Sequence, residues 1–499
     1  MNLFSAMSIS DITGGSWLRP PENGLAPRGL SIDSRTIKSG EAFLAVRGET
    51  FDGHDFVQQA TEAGAAMAIV EDANAAAIAN MPVLRVSNTV TALGTLAAAH
   101  RDRLGDSGTR VIAVTGSNGK TTTRRLIHEV LSSRFRCDAS PKSFNNHLGV
   151  PLTLLRSGPG GPDRFLVVEI GTNHPGEIAA LGRIVRPNCA VITNVGRAHI
   201  GHFQDRAAIG REKASLAAFV EPGGLAVVPG GDLAAPSSAL SPADSIEHRC
   251  SAGAALLAEP LKQLNGRFEI VRFGAGHDSD LVATNIQVRS DGTRFVLNGG
   301  PVVHLGLLGR HNVLNALAAI AVGQWAGVPL DHIIASLAGV ANEPMRLDRR
   351  LVGREAPLLV INDAYNANPD SVSAALSTLA EIPLPHGRAR RVFVLGDMLE
   401  LGDCAADLHR QVGEGLASPP GSARPIDLAI LIGSLAKLAA EPLAAAWPKG
   451  TFHTFEAADA ALGQRVAALL RPADVVLLKA SRAMKLERLM PAMEERFGR

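Results

Sequence analysis

Residues 111–123 read VIAVTGSNGKTTT, a run of small apolar residues broken off by Gly116-Ser117-Asn118-Gly119-Lys120-Thr121. A short β-branched apolar stretch that ends at glycine reads as a buried strand. The following RRLIHEVL (124–131) carries its apolar residues at helical spacing. The glycines therefore fall where a strand hands over to a helix. Backbone N–H groups at such a junction, with roughly half a positive charge from the helix dipole, suit phosphate oxygens. The usual phosphate loop has a further glycine five residues before the one preceding the lysine. Here that position is Val114, so the loop is two residues tighter.

Lys120 would set a mobile point charge on the outer phosphates, and the Thr121 hydroxyl is the natural magnesium ligand. Gly116, Ser117, Asn118, Gly119, Lys120, Thr121 and Thr122 are the expected nucleotide contacts. The plainer reading is a turn that uses glycine for its geometry alone. The joint occurrence of strand, glycine pair, Lys-Thr and helix favours a nucleotide.

Outward from the loop, short β-branched strands, RFLVVEIG (164–171) and CAVITNV (189–195), alternate with helical stretches, which implies a parallel sheet. Between about 230 and 300 the pattern loosens, and DLVATNIQVRSDGTRFVLNGG (280–300) suggests an antiparallel annex. Before the loop, SIDSRTIKSGEAFLAVRGETFDGHDF (31–56) and its sequel read as a small α/β unit. From Asn342 onward the α/β logic repeats with LLVINDAY, RVFVLGDM, LAILIG and DVVLLKAS. The fold class expected is α/β in three domains, 1–85, 86–341 and 342–499. The central domain is a mostly parallel sheet flanked by helices, and the last is Rossmann-like.

A chain of 499 residues exceeds one ordinary core. Lys+Arg 49 against Asp+Glu 48, with no basic block, argues against nucleic acid as a partner. The four scattered cysteines lack CxxC spacing, which speaks against a zinc site or disulfide framework and for a reducing compartment. The start lacks a signal-peptide pattern, and the longest apolar stretch is interrupted by Asn315 and Gln324. A cytoplasmic protein without a membrane partner is expected, acting as a monomer.

Glu169 closes the strand after the loop, at the sheet end where ligands gather, and could hold magnesium directly or through water. A surface ion pair is the alternative, weakened by the apolar VVEIG around it. The next strand leads to Asn194, His199 and His202; of these, His199 at the sheet rim is the better candidate for a direct role. Asn145 and Asn146 could position phosphate or substrate, or simply make a turn.

These residues together resemble the ATP-dependent Mur ligases, relatives of the folylpolyglutamate and cyanophycin synthetases. The pattern is GSNGKTT after an apolar strand, a glutamate closing the next strand, TNVGRAH, and GRHNVLNALAA. The shortened GxxGKT loop is the family's, and the resemblance covers essentially the whole chain. It implies a first domain that binds a UDP-sugar, a central domain that binds ATP, and a last domain that closes over ATP and the amine. SIDSRTIKSGEAF, EIGTNHPGEI, NNHLGVPLTLL, DAYNANPDSV and VLGDMLELG are similar to the members that add D-alanyl-D-alanine to UDP-N-acetylmuramoyl-tripeptide. The branch that adds the third peptide residue is the alternative, but its DNPR signature is absent. A P-loop switch protein is a second alternative, but a guanine-reading NKxD is absent.

The resemblance implies an acyl-phosphate mechanism using ATP and Mg2+. Lys120, Glu169, His199 and Lys213 carry the chemistry, and Thr121, Glu169 and His199 hold the metal. Lys213 matches a position that bears a carbamate in several members; an ordinary lysine paired with Glu212 or Asp205 is the alternative. Asn312 and Arg346 are expected at the base and ribose of ATP. Ser34, Arg35 and His54 are expected at the UDP-sugar, and Asp363, Tyr365, Asn366 and Asn368 in the cleft from the third domain. DAYNANPDSV would also cap a helix, and Asp397 either serves the site or ends a strand. Lys479 stands in LKASRAMKLE, where Ala480 replaces the commoner glycine.

Overall fold

The computed structural model describes residues 4–48, 50–74, 80–141, 144–196, 200–230, 246–264, 266–274, 278–417 and 426–498. Among these the chain builds three sheets. The first runs, in spatial order, Ser16–Arg19, Val83–Arg85, Met67–Val70, Ala42–Leu44 and Leu30–Ser31, parallel except for the leading strand.

The second has nine strands and carries the glycine loop. Its order is Val302–Leu305, Gly292–Leu297, Leu281–Arg289, Glu269–Gly274, Leu225–Pro229, Cys189–Ile192, Arg110–Thr115, Arg164–Glu169 and Arg136–Ala139. Strand Arg110–Thr115 is thus flanked by Cys189–Ile192 and Arg164–Glu169, both parallel to it. The chain leaves this strand toward one side of the sheet and returns to the other, so the loop opens at a topological switch point. The antiparallel strands expected near 280–300 are present, and they continue the central sheet. Leu281 pairs in parallel with Phe273, and the hairpin then extends the same sheet.

The third sheet runs Asp348–Val352, Leu358–Asp363, Val475–Lys479, Arg391–Gly396, Leu428–Ile432 and Phe452–Phe455, antiparallel only at its first pair.

Helices cover both faces of the central sheet because its strands are apolar on both sides. Lys120–Ser132, after the loop, packs against Arg310–Trp325. The latter is rich in Ala, Leu and Val all round and is buried from Asn312 to Gly323 apart from Leu314, as expected of an interior helix. On the opposite face Thr89–Asp106, capped by Asn88 on Thr91 N–H at 2.8 Å, joins the first sheet to the second through one apolar core.

The second and third sheets also share packing. Val288 and Leu308 belong to the apolar cluster of the third sheet with Leu347 and Ile361. Arg349 donates to the carbonyls of Ser290 at 2.7 Å and Gly306 at 3.3 Å, and Arg310 pairs with Glu381 at 2.8 Å. Cys137, Cys189 and Cys404 are free thiols. Among the described residues no helix is long and apolar enough to cross a membrane.

Candidate functional site

The loop is braced by the neighbouring strand end rather than by its own turns. Ser117 N–H donates to Asn194 O at 3.2 Å, and Asn118 N–H to the Asn194 side chain at 2.9 Å. The Thr193 hydroxyl donates to Asn118 O at 2.5 Å, and Gly196 N–H donates to the Ser117 hydroxyl at 2.9 Å. Gly116 has φ +146° and Gly119 φ +79°. A Cβ at Gly119 would stand 2.5 Å from the Asn315 side-chain oxygen, and one at Gly116 would overlap the Thr193 hydroxyl. Both glycines are required by backbone angle and by space.

Below the loop, Asn315 accepts from the Thr123 hydroxyl at 3.1 Å and donates to Asn312 at 2.8 Å; Asn312 in turn donates to Leu308 O at 2.8 Å. Helix 310–325 therefore supports the loop's helix with a polar chain inside an apolar interface. Such a chain tolerates burial because each member is paired.

Lys120 opens the helix and its ammonium donates to Gly116 O at 2.8 Å, curled over the loop. Burial pulls its pKa below the usual lysine value; Glu169 opposes that shift and Arg346 adds to it. Glu169 is 1% exposed. One of its oxygens accepts from Asn145 at 2.9 Å, while the other, Oε2, is buried without a hydrogen-bond partner. The nearest guanidinium nitrogen, Arg124 Nε, lies 3.6 Å from it and is itself unsatisfied. An orphaned carboxylate oxygen beside a phosphate loop fits a hard cation that keeps water and phosphate as its other ligands. Among the described residues no cluster of three or more His, Cys, Asp or Glu is placed to hold a metal by itself. His199 lies outside the described residues.

From the third sheet, the loop after Leu358–Asp363 reaches the phosphate loop. Asn368 caps the helix Pro369–Glu381, accepting Ser371 N–H at 2.9 Å, and with its amide donates to the Asn118 side chain at 2.9 Å. Lys479, 3% exposed, staples this loop from the adjacent strand. Its ammonium meets Asp363 Oδ2 at 2.9 Å and Asn366 O at 2.5 Å. Asp363 also accepts Leu347 N–H at 3.1 Å. Arg346 lies over the Tyr365 ring, 4.0 Å from its centre, and donates to the Thr121 hydroxyl at 3.2 Å.

Comparison with known proteins accounts for this arrangement. Residues 27–101 match the Mur ligase family catalytic domain, 114–247 with 254–323 the Mur ligase middle domain, and 345–482 the Mur ligase glutamate ligase domain. The UDP-N-acetylmuramoyl-tripeptide--D-alanyl-D-alanine ligase of Bacillus subtilis is 33% identical over 98% of both chains. The Escherichia coli protein of that name is 33% identical over 93% of both. The chain belongs to the Mur ligase family. MurF of Acinetobacter baumannii superposes with TM-score 0.82 at 32% identity, covering 99% of each chain. MurF of Thermotoga maritima, solved in complex with ADP, gives 0.75 at 26% identity, covering 95% of this chain and 99% of that one.

Within this Mur ligase the other residues singled out from sequence are placed as follows. Lys213 is 2% exposed, and its side chain makes no hydrogen bond or ion pair among the described residues. Burial drives its pKa well below the lysine range; Lys120 adds to the shift, and Glu212 and Glu177 oppose it. Neither alternative partner pairs with it. Glu212 accepts the N–H groups of Gly176 and Ile178, both at 2.8 Å, and Asp205 caps its own helix on Ala208 at 2.6 Å. Asn145 faces Glu169, whereas Asn146 is exposed and accepts Gly149 N–H at 2.9 Å, just ahead of helix Gly149–Arg156. Thr122 is half-buried on the loop helix.

In the first domain the Ser34 hydroxyl donates to Gln59 at 2.8 Å, and Arg35 is folded onto Asp33 at 2.8 Å with its side chain 79% exposed. His54 is internal: Nε2 accepts Glu71 N–H at 2.9 Å, so Nδ1 is the donor to Asp52 at 2.5 Å. Asp397 accepts the N–H groups of Leu435 and Ala436 at 3.0 and 2.7 Å, so its carboxylate closes a turn at the sheet rim.

Sequence reasoning missed Arg124, Thr193, Asn315 and Glu343. Only Asn315 left a signal: with Asn312 it forms an i, i+3 polar pair in an otherwise apolar helix.

Proposed function

We propose that this Mur ligase joins D-alanyl-D-alanine to a carboxylate of UDP-N-acetylmuramoyl-tripeptide, splitting ATP to ADP and phosphate. One observation carries the substrate assignment: the similarity to ligases of that name runs end to end, across all three sheets. A diaminopimelate ligase shares the fold at 18% identity and TM-score 0.51, which supports no activity beyond the fold.

A carboxylate is a poor acyl donor because oxide would have to leave. Transfer of the γ-phosphoryl group makes an acyl phosphate, from which phosphate leaves readily. Two anions must first be brought together, so cationic groups and N–H donors have to face them. Lys120 and the N–H groups at the start of its helix serve that end, while the Ser117 and Asn118 N–H groups, spent on Asn194, hold the loop's shape. Thr121 and Glu169 would hold magnesium, which would supply neutralisation of phosphate charge. Lys213 is a buried amine whose side chain lacks a partner among the described residues, and burial shifts its equilibrium toward the neutral form. That is the state able to add carbon dioxide, and we assign it the carbamate that supplies one more acidic oxygen near the metal.

The amine of the dipeptide, as free base, then attacks the acyl carbon and phosphate departs. We assign its placement to Asp363, Tyr365, Asn366 and Asn368, on the loop that Asn368 bonds to the phosphate loop. Holding both reactants in place is worth roughly 7–11 kcal/mol over a dilute encounter. Residues 1–85 take the UDP-sugar, with Ser34 and the exposed Arg35 as its contacts. Residues 86–341 take ATP, and 342–499 close the cleft. The reading places the reaction in the cytoplasm, where ATP is supplied, with the chain acting as a monomer.

The test is phosphate release from purified protein with ATP, magnesium, UDP-muramoyl tripeptide and a panel of amines. D-alanyl-D-alanine should be the preferred amine, and hydroxylamine should intercept the acyl phosphate. Phosphate release that ignores the tripeptide would remove the assignment.

A further inference from the structure

The two oxygen groups assigned to the metal are each engaged by an arginine. Arg346 donates to the Thr121 hydroxyl at 3.2 Å, and Arg124 Nε stands 3.6 Å from the orphaned oxygen of Glu169. The two guanidiniums share one counter-ion. Glu343 Oε1 is 3.5 Å from Arg124 Nη2, and its Oε2 is 3.7 Å from Arg346 Nε. Both separations exceed a charge-assisted hydrogen bond, so each pair can tighten by most of an ångström.

Glu343 and Arg346 lie in the linker between helix Leu330–Gly339 and strand Asp348–Val352. On either side of Arg346, Met345 and Leu347 hold left-handed backbones, φ +61° and +51°. Such angles in non-glycine residues persist only where surrounding contacts impose them. The contacts that impose them include these ion pairs, the stacking on Tyr365, the Tyr365 N–H bond to Met345 O at 3.1 Å, the Asn342 amide bond to Leu347 O, and the Asp363 bond to Leu347 N–H.

We propose that Arg124, Glu343 and Arg346 form a relay of positioning residues. The guanidiniums hold Glu169 and Thr121 in place before the metal–nucleotide binds, then pass to Glu343 as the metal takes those oxygens. The linker moves with Arg346, so occupancy at the phosphate loop is transmitted to the third domain. This rests on the assignment of Thr121 and Glu169 as metal ligands given above. The charge logic is direct: a cation entering beside two guanidiniums is opposed unless a carboxylate is ready to receive them.

The chain supplies its own reporter, because Tyr365 is its single tyrosine. Protein containing 3-fluorotyrosine therefore gives one fluorine resonance, from the ring under Arg346. Titrating magnesium into labelled protein saturated with AMP-PNP should shift that resonance along a saturation curve. In Glu343→Gln the half-saturating magnesium concentration should rise about tenfold, the order expected for deleting one charge near a divalent ion in a partly solvated site. AMP-PNP affinity in EDTA should stay within twofold of native, and Glu343→Asp should restore most of the metal response. Arg124→Met, if it folds, should bind magnesium more tightly. Glu343 is only partly buried, so its variants keep the test open if Arg124→Met unfolds. Equal magnesium half-saturation in native and Glu343→Gln protein, or a fluorine resonance indifferent to metal, overturns the relay. Failure to make the pentapeptide product while the metal titrations behave as stated would instead remove the substrate assignment and leave the relay standing.

Discussion

Gly116→Ala is the sharpest perturbation of the loop. Alanine at φ +146° occupies backbone space that L residues rarely adopt, at a cost of about 1–3 kcal/mol. Its methyl group would also overlap the Thr193 hydroxyl, which donates to Asn118 O at 2.5 Å. Turning Thr193 away forfeits that bond, about 0.5–1.5 kcal/mol net. The sum, about 1.5–4.5 kcal/mol, falls on the loop rather than on the sheets, because Thr115 and the strand behind it keep their ladder. If nucleotide requires the native loop, ADP should bind about tenfold to a thousandfold more weakly, at 1.4 kcal/mol per decade.

Calorimetric titration with magnesium–ADP reads this directly, and thermal unfolding checks that the fold survives. A double-mutant cycle separates the two causes. Thr193→Ala removes the overlapping oxygen, so Gly116→Ala in that background should recover about 1 kcal/mol or more of binding. Thr193→Ser keeps the oxygen and should recover little. Native-like ADP affinity for Gly116→Ala, or equal rescue by alanine and serine, would show that neither the backbone angle nor the close contact shapes the site.

Further outcomes follow from the same geometry. Lys120→Ala should lower turnover about 10²–10³-fold, the scale for deleting one preorganised charge stabiliser, with an unchanged circular dichroism spectrum; undiminished phosphate release would take the loop out of the mechanism. Added bicarbonate should raise turnover of carbon-dioxide-depleted native enzyme and leave Lys213→Ala unmoved. The folded state holds the Lys213 amine with a pKa well below 10.5 while the unfolded chain protonates it normally, so the unfolded state binds the extra proton. This group's contribution to stability therefore falls as pH drops below about 10.5, down to the depressed folded value, and Lys213→Met should flatten that slope in denaturant titrations. Lys479→Met strands Asp363 without its cation and should cost about 2–3 kcal/mol, less than a fully buried pair because Asp363 reaches solvent. Its KM for the dipeptide should rise more than its KM for ATP, and Lys479→Arg should retain more stability; equal rises would detach the staple from the amine site.

The strands and the loop were legible because their signals are local: β-branched runs, a glycine pair, and helical spacing within a few residues. Glu169 was legible for the same reason, as the end of an apolar strand. What joins these parts was not. Arg346 reaches Thr121 across 225 positions, Asn368 reaches Asn118 across 250, and Lys479 reaches Asn366 across 113. Arg124 beside Arg125 reads as the polar face of a helix until the fold brings Glu169 and Glu343 against it. His54, which the resemblance sets at the UDP-sugar, has both ring nitrogens engaged within the domain, through partners that no local pattern announces.

The tightness of the loop also has its cause in the sheet. Val114 stands where the longer loop would have its first glycine, and it is still strand, fully buried and paired with Glu169 on one side and Val191 on the other. Ile170 N–H closes on Val114 O at 2.8 Å, so the ladder beside it runs past Glu169. The turn cannot start before Gly116, and the missing internal turn is replaced by bonds to Thr193 and Asn194, just past the end of the next strand. A loop braced this way transmits strain sideways. Any substitution that moves Thr193 or Asn194 should therefore perturb nucleotide binding as if it lay in the loop itself, and the coupling should vanish in variants whose loop is already displaced.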